Sequence, residues 1–403
     1  MKPQVYYPVH EAGRIRKPDK IEEQIALSVA AYILSISPTA RFDLSVNGGW
    51  RDKKPVLFLG GNVSGEVCDT PNFYKGLEFA ARRIYCSLYS DQALQTVVFA
   101  INSQTADLAR NIEREGKVGD TGEAVAVAYR HTPYRLPVER TLASGLVRLF
   151  DEIYANHGAV PREFSSVVGS AEFYELRGDG KIGVRASYEG AKFRDVRKII
   201  LALQHGSENK VEYVRELARK ITERYLYLFS ERMGLQLGTP EIVVNNCGPF
   251  TNGGWRTDHG SREAKPHMQA FGSWGCLEDS LLGEDPSKPG LTATLAARWI
   301  AVQTVVAGVV PFVRVQLEYT IGKQTLDAVL VNTLGDGDEQ ERAQRWVNER
   351  FKTADLTLDS FIDRFGLREP KTYERILRNG GDLFDDCNLP FFDDSQLPWN
   401  RAE

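Results

Sequence analysis

The sequence predicts an α+β protein of three similar α/β-sandwich domains related by pseudo-threefold symmetry. Three observations point there: one order of elements recurs three times, a long and mostly apolar helix opens each recurrence, and strand-like periodicity follows it. A sheet that carries helices on one face buries its other face only against another sheet, so three such units gather about a common centre.

The opening helices span Asp19 to Ile36, Val138 to Tyr154, and Thr292 to Ala307, the last ended by Gly308. Strand-like segments follow at Pro55 to Val63, Ile182 to Tyr188 and Phe312 to Ile321. An amphipathic helix then closes each unit: Phe73 to Ser90, Val211 to Phe229 and Glu339 to Phe351. In the first two units a further apolar strand comes next, Thr96 to Ile101 and Glu241 to Asn245, each running into polar residues. These units divide the chain at approximately 1–114, 115–240 and 241–403, with interleaved domains.

A chain of 403 residues is long enough for two or three cores. Hydrophobic residues are 42% and charged residues 26% of it, the balance of a globular protein in water. A net charge of −4 without a basic run argues against a nucleic-acid surface. There is no apolar leader after Met1 and no apolar run of about 18 residues, which predicts a cytoplasmic protein without a membrane partner. The five cysteines are widely spaced without a CxxC pair, so reduced structural thiols are expected. The six histidines show no HxxxH or HExxH spacing and are expected at the surface or satisfied in the interior. Gly60-Gly61-Asn62 and the stretch from Gly248 to Gly260 fit neither a P-loop nor a dinucleotide fingerprint.

Collinear segments along nearly the whole chain resemble one family. Pro18-Asp19-Lys20-Ile21 with Gln24-Ile25 resembles its HPDKIxxQI opening, Gly60-Gly61 its GGE turn, Ile101 to Asp107 its IGKQSPDI segment, and Gly119 to Gly122 its GDQG. Thr132-Pro133 with Leu136-Pro137 resembles TPxLMP, Leu176 to Lys181 resembles LRPDAK, and Gln204-His205 resembles TQH. Gly248, Phe250, Gly253-Gly254 and Asp258 fall on GRFxxGGPxGDAG. Asp285-Pro286-Ser287-Lys288, Ala297 to Ala301, Tyr319 to Gly322 and Pro398-Trp399 complete the series. The family is that of S-adenosylmethionine synthetases, whose fold has the threefold plan read above.

The resemblance implies a reaction in which the methionine sulfur attacks C5′ of ATP, and the displaced tripolyphosphate is hydrolysed to pyrophosphate and phosphate. A thioether has no proton to lose, so catalysis rests on in-line positioning and on stabilising the departing charge. The resemblance makes Asp19 a Mg²⁺ ligand, sets Lys181, Lys265 and Lys288 on phosphates, and stacks Phe250 on adenine. Lys17, Lys20, Asp179 and Arg262 complete the catalytic and phosphate set, and Asn62, Gln104, Asp120 and Asp258 fall where methionine and ribose are contacted. The loop from Thr105 to Val118, with Arg114, Glu115, Gly116 and Lys117, falls where a mobile gate covers the site. It also implies a homodimer or a dimer of dimers with sites between subunits. By residue type alone, Asp19 is the N-cap of the first helix, Phe250 a core aromatic, Lys181 a turn lysine, Asp120 and Asp258 turn formers, and Gln104 a solvated loop residue.

Departures from the pattern cluster at the triphosphate end. Lys17 replaces histidine, Asn62 the glutamate of GGE, Ala264 an arginine, Glu284 a lysine, Gly290 the second Mg²⁺ aspartate, and Ser45 the glutamate associated with K⁺. Glu284 thus reverses a charge expected to face phosphate, which predicts a compensating change: Glu278, Asp279, Glu284 and Asp285 forming a new metal cluster, or Arg256 and Arg262 supplying cations. The other reading of those four carboxylates is a solvated acidic loop. Three functions are compatible with this pattern: a working synthetase, a paralogue that adenosylates another nucleophile or processes the triphosphate, and a non-catalytic nucleotide binder.

Overall fold

Asp52 and Lys53 both adopt positive φ, at 51° and 62°, the twist that closes a two-residue hairpin between β3 (Phe42–Arg51) and β4 (Lys54–Ser64). A computed structural model describes residues 4–89, 93–104, 117–168, 173–257, 270–275, 281–385 and 397–402. After that hairpin the chain forms α2 (Phe73–Leu88) and returns as β5 (Thr96–Gln104), parallel to β4. The second sheet repeats the scheme. Hairpin β7 (Leu176–Glu189) and β8 (Lys192–His205) is followed by α4 (Val211–Met233) and then β9 (Glu241–Val244), parallel to β8. The N-terminal strands β1 (Val5–Tyr6) and β2 (Val9–Gly13) both pair with β7.

The third sheet breaks the repeat. Hairpin β10 (Phe312–Tyr319) and β11 (Ala328–Asn332) leads into α6 (Gly337–Arg350), but β6 (Gly122–Tyr129) fills the remaining place, antiparallel to β10. Strands from both ends of the interval 115–240 therefore lie in different sheets.

The opening helices, α1 (Pro18–Ile36), α3 (Val138–Ala155) and α5 (Pro289–Val306), are buried along most of their length, and α5 is covered at every position but its last. An apolar circumference leaves no solvent face, which is why α5 lies between β6, β10 and the C-terminal turn Pro398–Asn400. Gly145 lets α4 approach α3, since a Cβ there would run into the Tyr225 hydroxyl. Gly308, at φ 76°, follows the Ala307 cap and ends α5 as expected. Asp19 is not the N-cap of α1: Lys17 is, with extended backbone, because Pro18 takes the first helical position. Among the described residues no helix is long and apolar enough to cross a membrane.

Arg298 on α5 is fully buried and ties three remote segments together. Its guanidinium donates to Val127 O of β6 at 2.5 Å, to the carbonyls of Tyr134 and Arg135, and to Asn400 Oδ1 at 2.8 Å. Tyr134 and Arg135 have φ of 51° and 60°, and Arg298 binds both of these left-handed residues. Arg298→Leu is expected to lower the unfolding free energy by about 3 kcal/mol, because it orphans buried acceptors. Urea denaturation measures this, and a loss under about 1 kcal/mol would show that Arg298 is not the tie described.

Candidate functional site

The connection from β2 into α1 carries Lys17, Asp19 and Lys20, and buried ionic contacts fix its path. Arg14 Nε meets Asp151 Oδ1 of α3 at 2.8 Å, and Asp151 Oδ2 accepts Ile15 N at 3.0 Å. The same stretch runs beside β7, with Arg14 N on Gly180 O and Arg16 N on Gly178 O. Lys17 Nζ then sits 2.8 Å from Asp19 Oδ1, both groups nearly buried. Lys20 turns the other way, onto Glu23 at 2.7 Å.

Asp179 joins this strand to the glycine-rich segment. Its carboxylate accepts Gly180 N through Oδ1 and Gly254 N through Oδ2, each at 2.6 Å. Gly254 has φ 74°, a backbone suited to glycine. The end of β8 completes the clamp: Gln204 Nε2 donates to Thr251 O, and His205 Nε2 accepts Phe250 N at 3.0 Å while its Nδ1 faces Ser207 O. Tyr89, which no motif marked, donates to Arg16 O at 2.8 Å and accepts Trp255 N at 3.0 Å. His205 is thus a satisfied interior histidine as expected, whereas both ring nitrogens of buried His10 lack a hydrogen-bond partner among the described residues. Lys181 is half-exposed and pairs with Glu11 of β2 at 3.0 Å.

A second group forms around Lys288. Leu44 N bonds Gly283 O, Asp285 N bonds Phe42 O, and Gly119 N bonds Ser287 O, so three remote segments zip together. Lys288 Nζ lies 2.6 Å from Asp43, 2.9 Å from Glu284 and 3.8 Å from Asp120. Burial alone would lower its pKa, but Asp43 and Glu284 outweigh it and raise the ammonium above its ordinary range. Glu284 is therefore paired with Lys288. Asp43 was missed in the sequence; its signal is the alternation that places it two residues before Ser45 on β3.

Asn62 stands between Asp43 and Asn102 across the sheet, and Ser45 opposite Gly60. Gln104, at the end of β5, has a buried Oε1 without a hydrogen-bond partner among the described residues. Asp285 spends both oxygens on protein donors: Ser287 N at 2.9 Å and the Ser287 hydroxyl on one, Phe42 N at 3.2 Å on the other, with Arg41 at 3.6 Å. Among the described residues no cluster of three or more metal-donor side chains forms. Asp258, Arg262, Lys265, Glu278, Asp279 and most of the expected gate lie outside the described residues.

A family profile described as "S-adenosylmethionine synthetase, C-terminal domain" matches residues 252–391. Beyond that segment, the S-adenosylmethionine synthase of Clostridium tetani is 28% identical over 390 residues, covering 93% of both chains. The chain is similar to S-adenosylmethionine synthases along most of its length. Synthases of Desulforudis audaxviator, 26% identical with 93% of this chain and 92% of theirs covered, and of Clostridium acetobutylicum, 27% identical with 96% and 94% covered, give the same result. Individual side chains around Lys288 differ from the motifs quoted for the resemblance.

Burial pushes the Asp151 carboxyl up to about 6, against the pull of Arg14. The folded protein keeps this proton where the unfolded chain has lost it, so the group's contribution to stability is complete below about pH 4 and is lost as pH rises through about 6. Between those limits Asp151→Asn is expected to flatten the fall in unfolding free energy by about 3 kcal/mol. Parallel denaturation profiles for the two proteins would contradict this.

Proposed function

We propose that the protein transfers the adenosyl group of ATP to L-methionine, forming S-adenosylmethionine and releasing phosphate and pyrophosphate. The observation that carries this reading is the 3.8 Å approach of Lys288 to Asp120, residues from remote motifs assigned to phosphate and to the second substrate. The first group, around Lys17, Asp19, Asp179 and Phe250, would take the nucleotide, with Lys181, Lys265 and Arg262 on its phosphates. Asn62, Gln104 and Asp120 would orient the sulfur nucleophile, with Lys288 beside them on the phosphates. Exposed Phe58 and Val98 on one sheet and Ile200 on another support a homodimer, or a dimer of dimers, in which sheet faces meet.

Neither Asp285 nor Glu284 suits a divalent ion, since protein donors and Lys288 hold them. Asp19, whose Oδ1 accepts Lys17 Nζ and Lys20 N, is the position the resemblance gives to Mg²⁺, and a Mg²⁺ that also takes substrate oxygens needs only one or two protein carboxylates. Asp19 would hold Mg²⁺, which supplies charge neutralisation for the departing triphosphate. Lys288 acts in the same sense once it exchanges Glu284 or Asp43 for a phosphate oxygen. No step is assigned to K⁺, since Ser45 offers a hydroxyl in place of a carboxylate.

A second reading, adenosyl transfer to another nucleophile, is favoured by Asn62, whose amide cannot pair with the ammonium of methionine as a carboxylate does. Incubation with ATP, Mg²⁺ and K⁺, with and without L-methionine, followed by mass spectrometry of the products, separates the two. S-adenosylmethionine with pyrophosphate and phosphate is expected; intact ATP would remove the first reading, and consumption of ATP only on addition of another amine or thioether would establish the second. Lys288→Met is expected to lower kcat/KM for ATP by about 100-fold with unchanged circular dichroism. Retention of wild-type kcat/KM would take Lys288 out of the reaction.

A further inference from the structure

Between α1, α3 and the turn after α7 (Pro370–Arg378) lies a cavity of about 220 Å³. Apart from Lys20, none of its lining residues belongs to the set assigned to adenosyl transfer. Ile15, Val147, Ala270, Leu282, Leu383 and Phe384 give it an apolar wall. It has room for a small metabolite.

Its charges have a definite pattern. On α3, Arg140 and Arg148 project toward the cavity two turns apart, with Ser144 between them. Arg140 is bound by Asp382 at 2.7 Å, by Ala270 O at 3.0 Å and by the Ser144 hydroxyl. Arg148 pairs with Asp385 at 2.7 Å, Lys20 with Glu23, and Asp151 with Arg14. Arg378 is left: it lines the mouth, is exposed, and has no hydrogen-bond or ion-pair partner among the described residues.

We propose that this cavity is a binding site for a small organic carboxylate, its oxygens on the Arg378 guanidinium and its short carbon chain against Ile15, Val147, Ala270 and Phe384. The planar fork of arginine suits a carboxylate, and the apolar wall selects an organic acid over an inorganic anion. Three of the four cations on the wall are internally neutralised, so one added negative charge completes the balance.

Isothermal titration of the full-length protein with sodium butyrate, against sodium phosphate and sodium chloride at matched ionic strength, tests this. Saturable butyrate binding at millimolar concentration is expected, weakened at least about tenfold by Arg378→Ala, a loss of 1.4 kcal/mol or more. Ala270→Leu, which fills the cavity and leaves Arg378 in place, is expected to abolish it, with folding checked by circular dichroism. Absence of saturable heat with butyrate, equal or tighter binding of phosphate, or butyrate binding unchanged in Arg378→Ala would overturn the proposal.

Discussion

The carboxylate of Asp179 holds two glycine N–H groups from segments far apart in sequence, and the first group of candidate residues depends on it. Gly180 belongs to β7 and Gly254 to the glycine-rich segment, so one side chain sets their separation. A buried charge is costly unless hydrogen bonds satisfy it, and two N–H donors at 2.6 Å meet that condition. The path of Arg14 to Lys17 along β7, and the docking of Trp255 against Tyr89 and Gly49, follow from that junction.

The second constraint is the pairing of Lys288. An ammonium gripped by two carboxylates is not freely available to an anion. The charge reversal at Glu284 is therefore compensated inside the protein. Asp43 and Glu284 keep Lys288 protonated and positioned.

Much of the architecture was legible in the sequence because it rests on short-range patterns. The mostly apolar surface of α5, the alternation in β10 and the left-handed Gly308 each announce an element without reference to distant residues. What was not legible depends on contacts across the chain. Asp19 read as a cap, yet the cap is decided by the extended backbone of Lys17 ahead of Pro18. Glu284 read as a carboxylate facing phosphate, yet Asp43 on a remote strand shares Lys288 with it. Tyr89 carries no motif, and its role exists only once Arg16 and Trp255 meet.

The place of β6 in the third sheet also bears on how the chain reaches this state. Its residues from Ala124 to Tyr129 are buried, but their partners on β10 are the residues from Phe312 to Leu317. During synthesis β6 leaves the ribosome long before those partners exist, as an apolar strand with an open hydrogen-bonding edge. Such edges recruit other chains, and non-local pairing of this kind folds slowly. The last sheet can close only near the end of translation, so β6 is the segment that a chaperone has most reason to cover.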